Sequence, residues 1–480
     1  MFIGLDLGTS GVRAVLLRDD GSVRDSAEAA TPVAHPHPGW SEQDPADWIA
    51  ATRAALGELG ARQSLAGVRG IGLSGQMHGA TLLDESGAVL RPCLLWNDTR
   101  SHAQAARLDA DPDFRRISGN IVFPGFTAPK VLWVAEHEPE AFARTARVLL
   151  PKDYLSFWLT GRAASDMSDS AGTAWMDVGR RAWSDVLLAK SGMRRDQMPE
   201  LLEGTGIVGP LRPEVARDLG LPEGALVIAG GGDNAASACG VGALAEGDGF
   251  VSLGTSGVLL AARDGFAPAP ESAVHTFCHA IPDTWYQMGV ILAATDSLNW
   301  LARVTGTRPA DLTQALGPLR APGRLRFLPY LSGERTPHND SAIRGALLNL
   351  DIASEQADLT RAVIEGVSFA LKDSLIALQS TGARLDRLLA IGGGTRSRYW
   401  VELLATVLNL PIDLPQSGEF GAALGAARLA LCGVTGAAPS EVMTKPPVAE
   451  TLLPRPDLTA ACEAAHAAFA AAYPALRALP

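Results

Sequence analysis

Apolar residues along this chain fall into two kinds of run. Short, nearly continuous runs lead into a glycine, directly after 227–229, 250–253 and 388–391 and within three residues after 2–5 and 68–73, and each reads as a buried strand closed by a turn. Longer runs repeat at helical spacing. The clearest covers 359–378, where Val363, Val367, Ala370, Leu371, Leu375 and Leu378 share one face. Asp44-Pro45 opens another helix with a cap and a first-turn proline, carrying Trp48, Ile49, Ala55 and Leu56 inward. Alanine-rich helices are predicted at 421–432 and 458–473, the second ended by Pro474. A further strand is predicted at 92–96. Strands alternating with helices place the chain in the α/β class.

One stretch organises the rest. From 227 to 257 an apolar strand meets Gly230, Gly231 and Gly232, then Asp233 and Asn234, a small-residue helix, and a second strand opening into Gly254-Thr255-Ser256-Gly257. A carboxylate on a glycine turn at a strand end can act as a base toward a hydroxyl; alone, it is also an ordinary helix cap. The loop beyond offers N–H groups and hydroxyls to an anion. Together they point to phosphoryl transfer to an alcohol.

The loop occurs twice. Leu7-Gly8-Thr9-Ser10-Gly11-Val12 returns letter for letter at 253–258, about half a chain later, each copy between strand-like runs. Both read as hairpins with a glycine-rich turn. This spacing predicts a duplicated fold with a cleft between the halves: an N-terminal domain over 1–244, a C-terminal domain over 249–436 and a helical extension over 437–480, with the boundary in the Gly and acid cluster near 244–249. Asp6 precedes the first copy and Ser252 the second, so only the first half brings an acidic metal partner.

The strand at 68–74 delivers Gly75-Gln76-Met77-His78-Gly79 at its end, where ligands of open α/β sheets sit. His78 alone would be structural; Gln, Met and His arriving together between glycines read as a binding segment. His275, Cys278 and His279 invite a zinc reading, but strand alternation sends Cys278 and His279 to opposite faces. His35 and His37 lie in a proline-rich loop, and Asp166 and Asp169 suit capping as well as metal binding.

Composition narrows the class. A net charge of −11 over 480 residues argues against nucleic-acid partners, which demand clustered Lys and Arg. Five scattered cysteines, Cys93, Cys239, Cys278, Cys432 and Cys462, fit a reducing compartment. No apolar run reaches the roughly 20 residues of a membrane span, so the expected location is cytoplasmic, with no membrane partner.

The segments IGLDLGTSGVRAVLL, SGQMHGATLLD, LLWNDTR, PGFTAPKVLW, LLPKDYL, SDMSDSAGT, AGGGDNAA, VSLGTSGV, FLPYLSGERTPHND and IGGGTRS resemble those of the FGGY carbohydrate kinases along nearly the whole chain. The resemblance implies two actin-like (ribonuclease H-type) domains around a nucleotide and sugar cleft, with ATP and Mg²⁺ used to phosphorylate the terminal hydroxyl of D-xylulose. It makes Asp233 the general base and places Gln76, Met77, His78 and Asn234, with Asp233, around the sugar. Gly8, Thr9, Ser10 and Arg13 would face the transferring phosphate, Gly254 and Thr255 its neighbours, Gly393 and Gly394 the adenosine, and Asp6 the Mg²⁺. Arg13 stands where many relatives have Lys. Another ketose or polyol, such as ribulose or glycerol, is the alternative substrate class. An actin-like chaperone or filament protein is the non-enzyme alternative, and a homodimer is an assembly the resemblance allows.

Overall fold

The computed structural model describes residues 1–416 and 421–479. Two sheets carry the two halves. The first is built from β1 (Phe2–Leu7), β2 (Gly11–Leu17), β3 (Val23–Ala30), β4 (Gly70–Gly75), β5 (Ile207–Pro210) and β6 (Leu226–Gly232), in the order β3-β2-β1-β4-β6-β5. The second uses β7 (Gly249–Leu253), β8 (Gly257–Arg263), β9 (His275–Cys278), β10 (Trp285–Ile291), β11 (Leu388–Ile391), β12 (Ile412–Pro415) and β13 (Val448–Leu452), in the order β9-β10-β8-β7-β11-β12-β13.

Strand for strand the sheets repeat one pattern. An antiparallel hairpin leads each (β1/β2, β7/β8), a third antiparallel strand extends it (β3, β10), two parallel strands follow on the other side (β4 and β6, β11 and β12), and an antiparallel strand closes the edge (β5, β13). The repeated hexamer falls on the leading hairpin both times, Leu7 pairing with Val12 and Leu253 with Gly257. The two actin-like halves expected from the repeat are therefore present, with β9 added to the second. Parallel strands buried on both faces explain the apolar runs: every residue of β4 is buried, and all but Asp6 of β1.

Helices interlock the halves. α1 (Pro45–Arg62) covers the first sheet, with Asp44 accepting from the Ala46 N–H as its cap. α2 (Thr127–His137) lies in the long insertion between β4 and β5. α3 (Asp233–Val241) leaves β6, and α4 (Gln356–Ser380), α5 (Arg398–Leu408), α6 (Ala422–Thr435) and α7 (Pro456–Arg477) complete the second half. Although α6 follows the second sheet in sequence, it packs on β1, β4 and α3. Only glycine permits this approach: a Cβ at Gly4 would lie 1.8 Å from the Ala423 carbonyl oxygen, and one at Gly425 would lie 1.7 Å from that of Ala236.

Residues after 436 are not helical throughout. They supply β13, the edge of the second sheet, and α7, which buries Cys462, Ala465, His466, Phe469 and Tyr473. Pro474 lies inside α7 instead of ending it. The lost donor near the C-terminal end is outweighed by tertiary anchoring next to it, where the Tyr473 hydroxyl donates to Asp340 at 2.9 Å and its ring stacks on His338 at 3.5 Å. The strand expected at 92–96 shrinks to Cys93–Leu94, because its partner Glu42–Gln43 offers only two residues.

Candidate active site

Asp233 is the first residue of α3, capped by Gly232, with its Oδ1 accepting from the Asn234 N–H at 2.7 Å and the Asn234 side chain at 2.9 Å. These bonds favour the charged carboxylate. Burial opposes it, the nearby Asp6 charge adds to that, and the carboxyl is pushed up to about 7. The turn below is tied down: the Gly232 N–H donates to Ser168 Oγ at 3.0 Å, Ser168 in turn donates to Asp166, and Asp166 pairs with the buried Lys152 at 2.7 Å. Lys152 also meets Asp153 at 2.6 Å. Asp166 and Asp169 thus belong to a buried network under the site, with Asp166 also capping the short helix Met167–Ser170.

Asp6, the last residue but one of β1, lies opposite Arg13 across the hairpin and Ser74 across the parallel pair. Its carboxyl is also raised, by burial first, with Ser74 and Arg13 opposing. Its Oδ1 is buried without a hydrogen-bond partner. A cavity of about 280 Å³ opens in front, lined by Asp6, Gly8, Ser10, Arg13 and Glu28 among others. Both glycine loops have their carbonyls drawn back into the protein. Thr9 O accepts from Gln43 Nε2 at 2.8 Å and Ser10 O from the Thr31 N–H at 3.0 Å; Gly254 O accepts from the Thr295 N–H at 2.9 Å and Thr255 O from the Ala294 N–H at 2.8 Å. With their carbonyls tied back in this way, the loops are pinned in shape, and backbone N–H groups of such turns are the kind that suit an anion. Gly393 stands in a turn directly after β11 with open space where a Cβ would be, while Gly394 packs on Leu253 at the base of the second loop.

Gln76, Met77 and His78 do three different things. Gln76 is buried behind the first loop, accepting from Thr9 Oγ1 at 2.9 Å and donating to Gln43 at 2.8 Å, so it shapes that loop. Met77 packs beneath the Gly232 turn and takes a Tyr286 hydroxyl contact at 3.9 Å. His78 sits on a left-handed backbone, φ 71°, with its ring between Phe126 and Gly172. Its Nδ1 lies 2.7 Å from the Gly172 carbonyl oxygen, which makes Nδ1 the donor and leaves Nε2 as an acceptor. Burial, with Lys130 nearby, pulls its pKa down to about 3, so the ring is neutral.

The contacts of α2 with His78 were not singled out by the sequence, whereas Trp96 ends the strand expected at 92–96. Thr127 Oγ1 and Lys130 Nζ, from the first turn of α2, both donate to the His78 carbonyl, at 3.0 and 2.9 Å, and Phe126 stacks on the His78 ring at 4.7 Å. Trp96 donates to Thr9 Oγ1 at 2.9 Å. The motif PGFTAPKVLW carried the α2 residues, but nothing in its spacing tied them to His78. His279 and Cys278 make separate backbone contacts, to Ala243 and Val178.

A duplicated actin-like fold with a raised carboxyl and two glycine loops points to a phosphotransferase class, and comparison assigns the family. The N-terminal domain pattern of the FGGY family of carbohydrate kinases matches residues 1–240 and its C-terminal domain pattern residues 249–434. The chain belongs to the FGGY family of carbohydrate kinases. It is 49% identical to xylulose kinase of Klebsiella pneumoniae over 93% of this chain and 92% of that one, and 49% identical to xylulose kinase of Escherichia coli K12 over 90% and 89%. The crystal structure of a xyloylose kinase from Brucella ovis superposes with a TM-score of 0.97 at 56% identity, over 100% of this chain and 99% of that one. The protein is therefore an enzyme, and kinases of this family use ATP.

Proposed function

We propose that this enzyme transfers the γ-phosphoryl group of ATP to the terminal hydroxyl of D-xylulose, giving D-xylulose 5-phosphate, with Asp233 as general base. The hydroxyl oxygen bonds to the γ-phosphorus, the bond to the bridging oxygen of ADP breaks, and the hydroxyl proton passes to Asp233. The observation that carries this reading is the Asp233 carboxyl itself: half-buried at a helix start, held by Asn234 and raised to about 7, where a base operates best. The names of the relatives supply the sugar.

Phosphoryl transfer asks for positioning and charge stabilisation more than covalent help. Gly8, Thr9, Ser10 and Arg13 would receive the transferring phosphate, Gly254 and Thr255 the neighbouring phosphates, and Gly393 and Gly394 the adenosine. Met77 would support the sugar from below, Asn234 would orient Asp233, and the His78 Nε2 would accept a sugar hydroxyl. The unpartnered, buried Asp6 Oδ1 suits a hard cation, so Asp6 is the residue that would hold Mg²⁺, directly or through water. Bound there, the ion would supply neutralising charge at the phosphates. No helix among the described residues is long and apolar enough to cross a membrane, and the five cysteines, all buried and unpaired, support a cytoplasmic location.

Asp233→Asn keeps the shape and removes the basicity. We expect kcat to fall by about 10²-fold or more while both KM values change far less, measured in a coupled ADP assay over a panel of ketoses and polyols. Near-normal turnover of the variant would remove Asp233 from the mechanism. A wild type preferring ribulose or glycerol would keep the mechanism and change the substrate.

A further inference from the structure

The sugar end of the site contains a charge that these roles leave unexplained. Arg335 sits in the loop 332–338 of the second half, half-buried, with its guanidinium 4.8 Å over the Phe123 ring and 3.4 Å from His275 Nε2. Neither neighbour is an anion. Glu334, next in sequence, uses its Oε1 to accept the N–H groups of Leu292 at 3.1 Å and of Arg335 itself at 2.8 Å, and its Oε2 is buried without a partner. Among the described residues no carboxylate forms an ion pair with the Arg335 guanidinium. Glu334 attracts Arg335 without forming an ion pair with it; a guanidinium withdrawn from water without a bonded anion is costly, and such a fork is completed by ligand oxygens.

Its position says which oxygens. The charge acting on Asp233 is that of Asp6, on the phosphate side, whereas the charges acting on His78 are those of Lys130 and Arg335. Lys130 is spent on the His78 carbonyl. Arg335 therefore serves the His78 side of the sugar, away from the hydroxyl that reacts at Asp233. In a 2-ketose phosphorylated at its far end, that side carries the carbonyl and the C1 hydroxyl. The carbonyl needs a donor, and His78 Nε2 is an acceptor; Arg335 supplies what His78 lacks. The rings of Phe123, Phe126, His275 and Phe277 form a connected cluster across the two halves, neighbouring centroids 5.1 to 6.1 Å apart, giving this end a firm apolar wall.

We propose that Arg335, reaching in from the C-terminal half, is a specificity-determining residue that donates hydrogen bonds to the carbonyl-bearing end of the ketose. This rests on the ketose kinase reading above. It also makes the C-terminal half a partner in sugar recognition, beyond its nucleotide role.

The test measures steady-state kinetics of the full chain and of Arg335→Met, with D-xylulose and with xylitol, the same carbon skeleton lacking the carbonyl. The expected result is a rise of about tenfold or more in the D-xylulose KM, a loss of preference for D-xylulose over xylitol, and an ATP KM and sugar-independent ATP hydrolysis within about twofold of wild type. Arg335→Lys keeps the charge without the fork and should fall between the two; it carries the test if circular dichroism shows the Met variant misfolded. A D-xylulose KM within twofold of wild type in a folded variant overturns the role of Arg335 and leaves the proposed function standing. A wild type that phosphorylates no ketose overturns both.

Discussion

Asp233 stands at the first turn of a helix, where the positive end of the dipole and two bonds from Asn234 would ordinarily hold a carboxyl low. Burial and the like charge of Asp6 win, and the result is a group poised near 7. A base must be unprotonated, so kcat/KM for the sugar should fall below about pH 7 by close to tenfold per unit. Asp6→Asn removes the like charge and should move that limb to lower pH, while raising the Mg²⁺ concentration needed for half-maximal rate; a limb that stays put in Asp6→Asn would separate the two carboxylates. Linkage gives an independent check. A carboxyl raised in the folded state binds its proton more tightly than in the unfolded chain, so its charging lowers stability as pH rises from about 4 through 7. Asp233→Asn should therefore melt higher than wild type at pH 8, with the difference vanishing near pH 3. His78, held neutral down to about pH 3, should contribute no limb to the profile.

At the level of elements, the first turn of α2 is the support for His78. A non-glycine residue at φ 71° is strained, and two donors on its carbonyl plus a stacked phenylalanine hold it there. Thr127→Val, which keeps shape and removes one donor, should raise the sugar KM several-fold with ATP KM unchanged; equal loss in both would mean general damage to the fold. The crossing of α3 and α6 is the other decisive element. With Gly425 against the Ala236 carbonyl, Gly425→Ala should destabilise by about 1–3 kcal/mol or more, read as a lower midpoint in urea. Sequence patterning exposed α4 and both hairpins, because their periodicity is local. It misjudged the end of α7, where a stacked and hydrogen-bonded Tyr473 outweighs Pro474, and it was silent on where α6 docks.

Across the whole molecule, the halves meet in two ways. At the base α3 and α6 cross, and at the sugar end the β9 backbone bonds to Asn120 of the first half, with both Thr276–Asn120 bonds at 2.9 Å. One apolar cluster runs through both, including Met77, Phe126 and Cys239 from the first half and Phe250, Phe277 and Tyr286 from the second. Among the described residues, no hydrogen bond joins the glycine loop at 8–11 directly to the one at 254–257. Closure about 244–249 should therefore be a small rotation that narrows the phosphate side and excludes water from the γ-phosphate. Small-angle scattering with D-xylulose and a non-hydrolysable ATP analogue should show a modest fall in the radius of gyration; superimposable curves with and without ligands would count against it.

The sequence by itself determined the class and the duplication and pointed to the candidate reactive groups, because these rest on short-range patterns: apolar runs leading into glycine, a hexamer written twice, Asp233 behind three glycines. It assigned Gln76 to the sugar along with Met77 and His78, since adjacency along a chain is all that a strand end displays; the tertiary structure turned the Gln76 amide toward Thr9 and Gln43 and the His78 ring toward Gly172. The tertiary structure alone decided that Thr127 and Lys130 grip His78 some fifty positions away, that α6 crosses onto the first sheet, and that Arg335 of the second half stands against Phe123 of the first. Such long-range contacts depend on shape and burial summed over the whole core, and no local spacing in a single sequence records them.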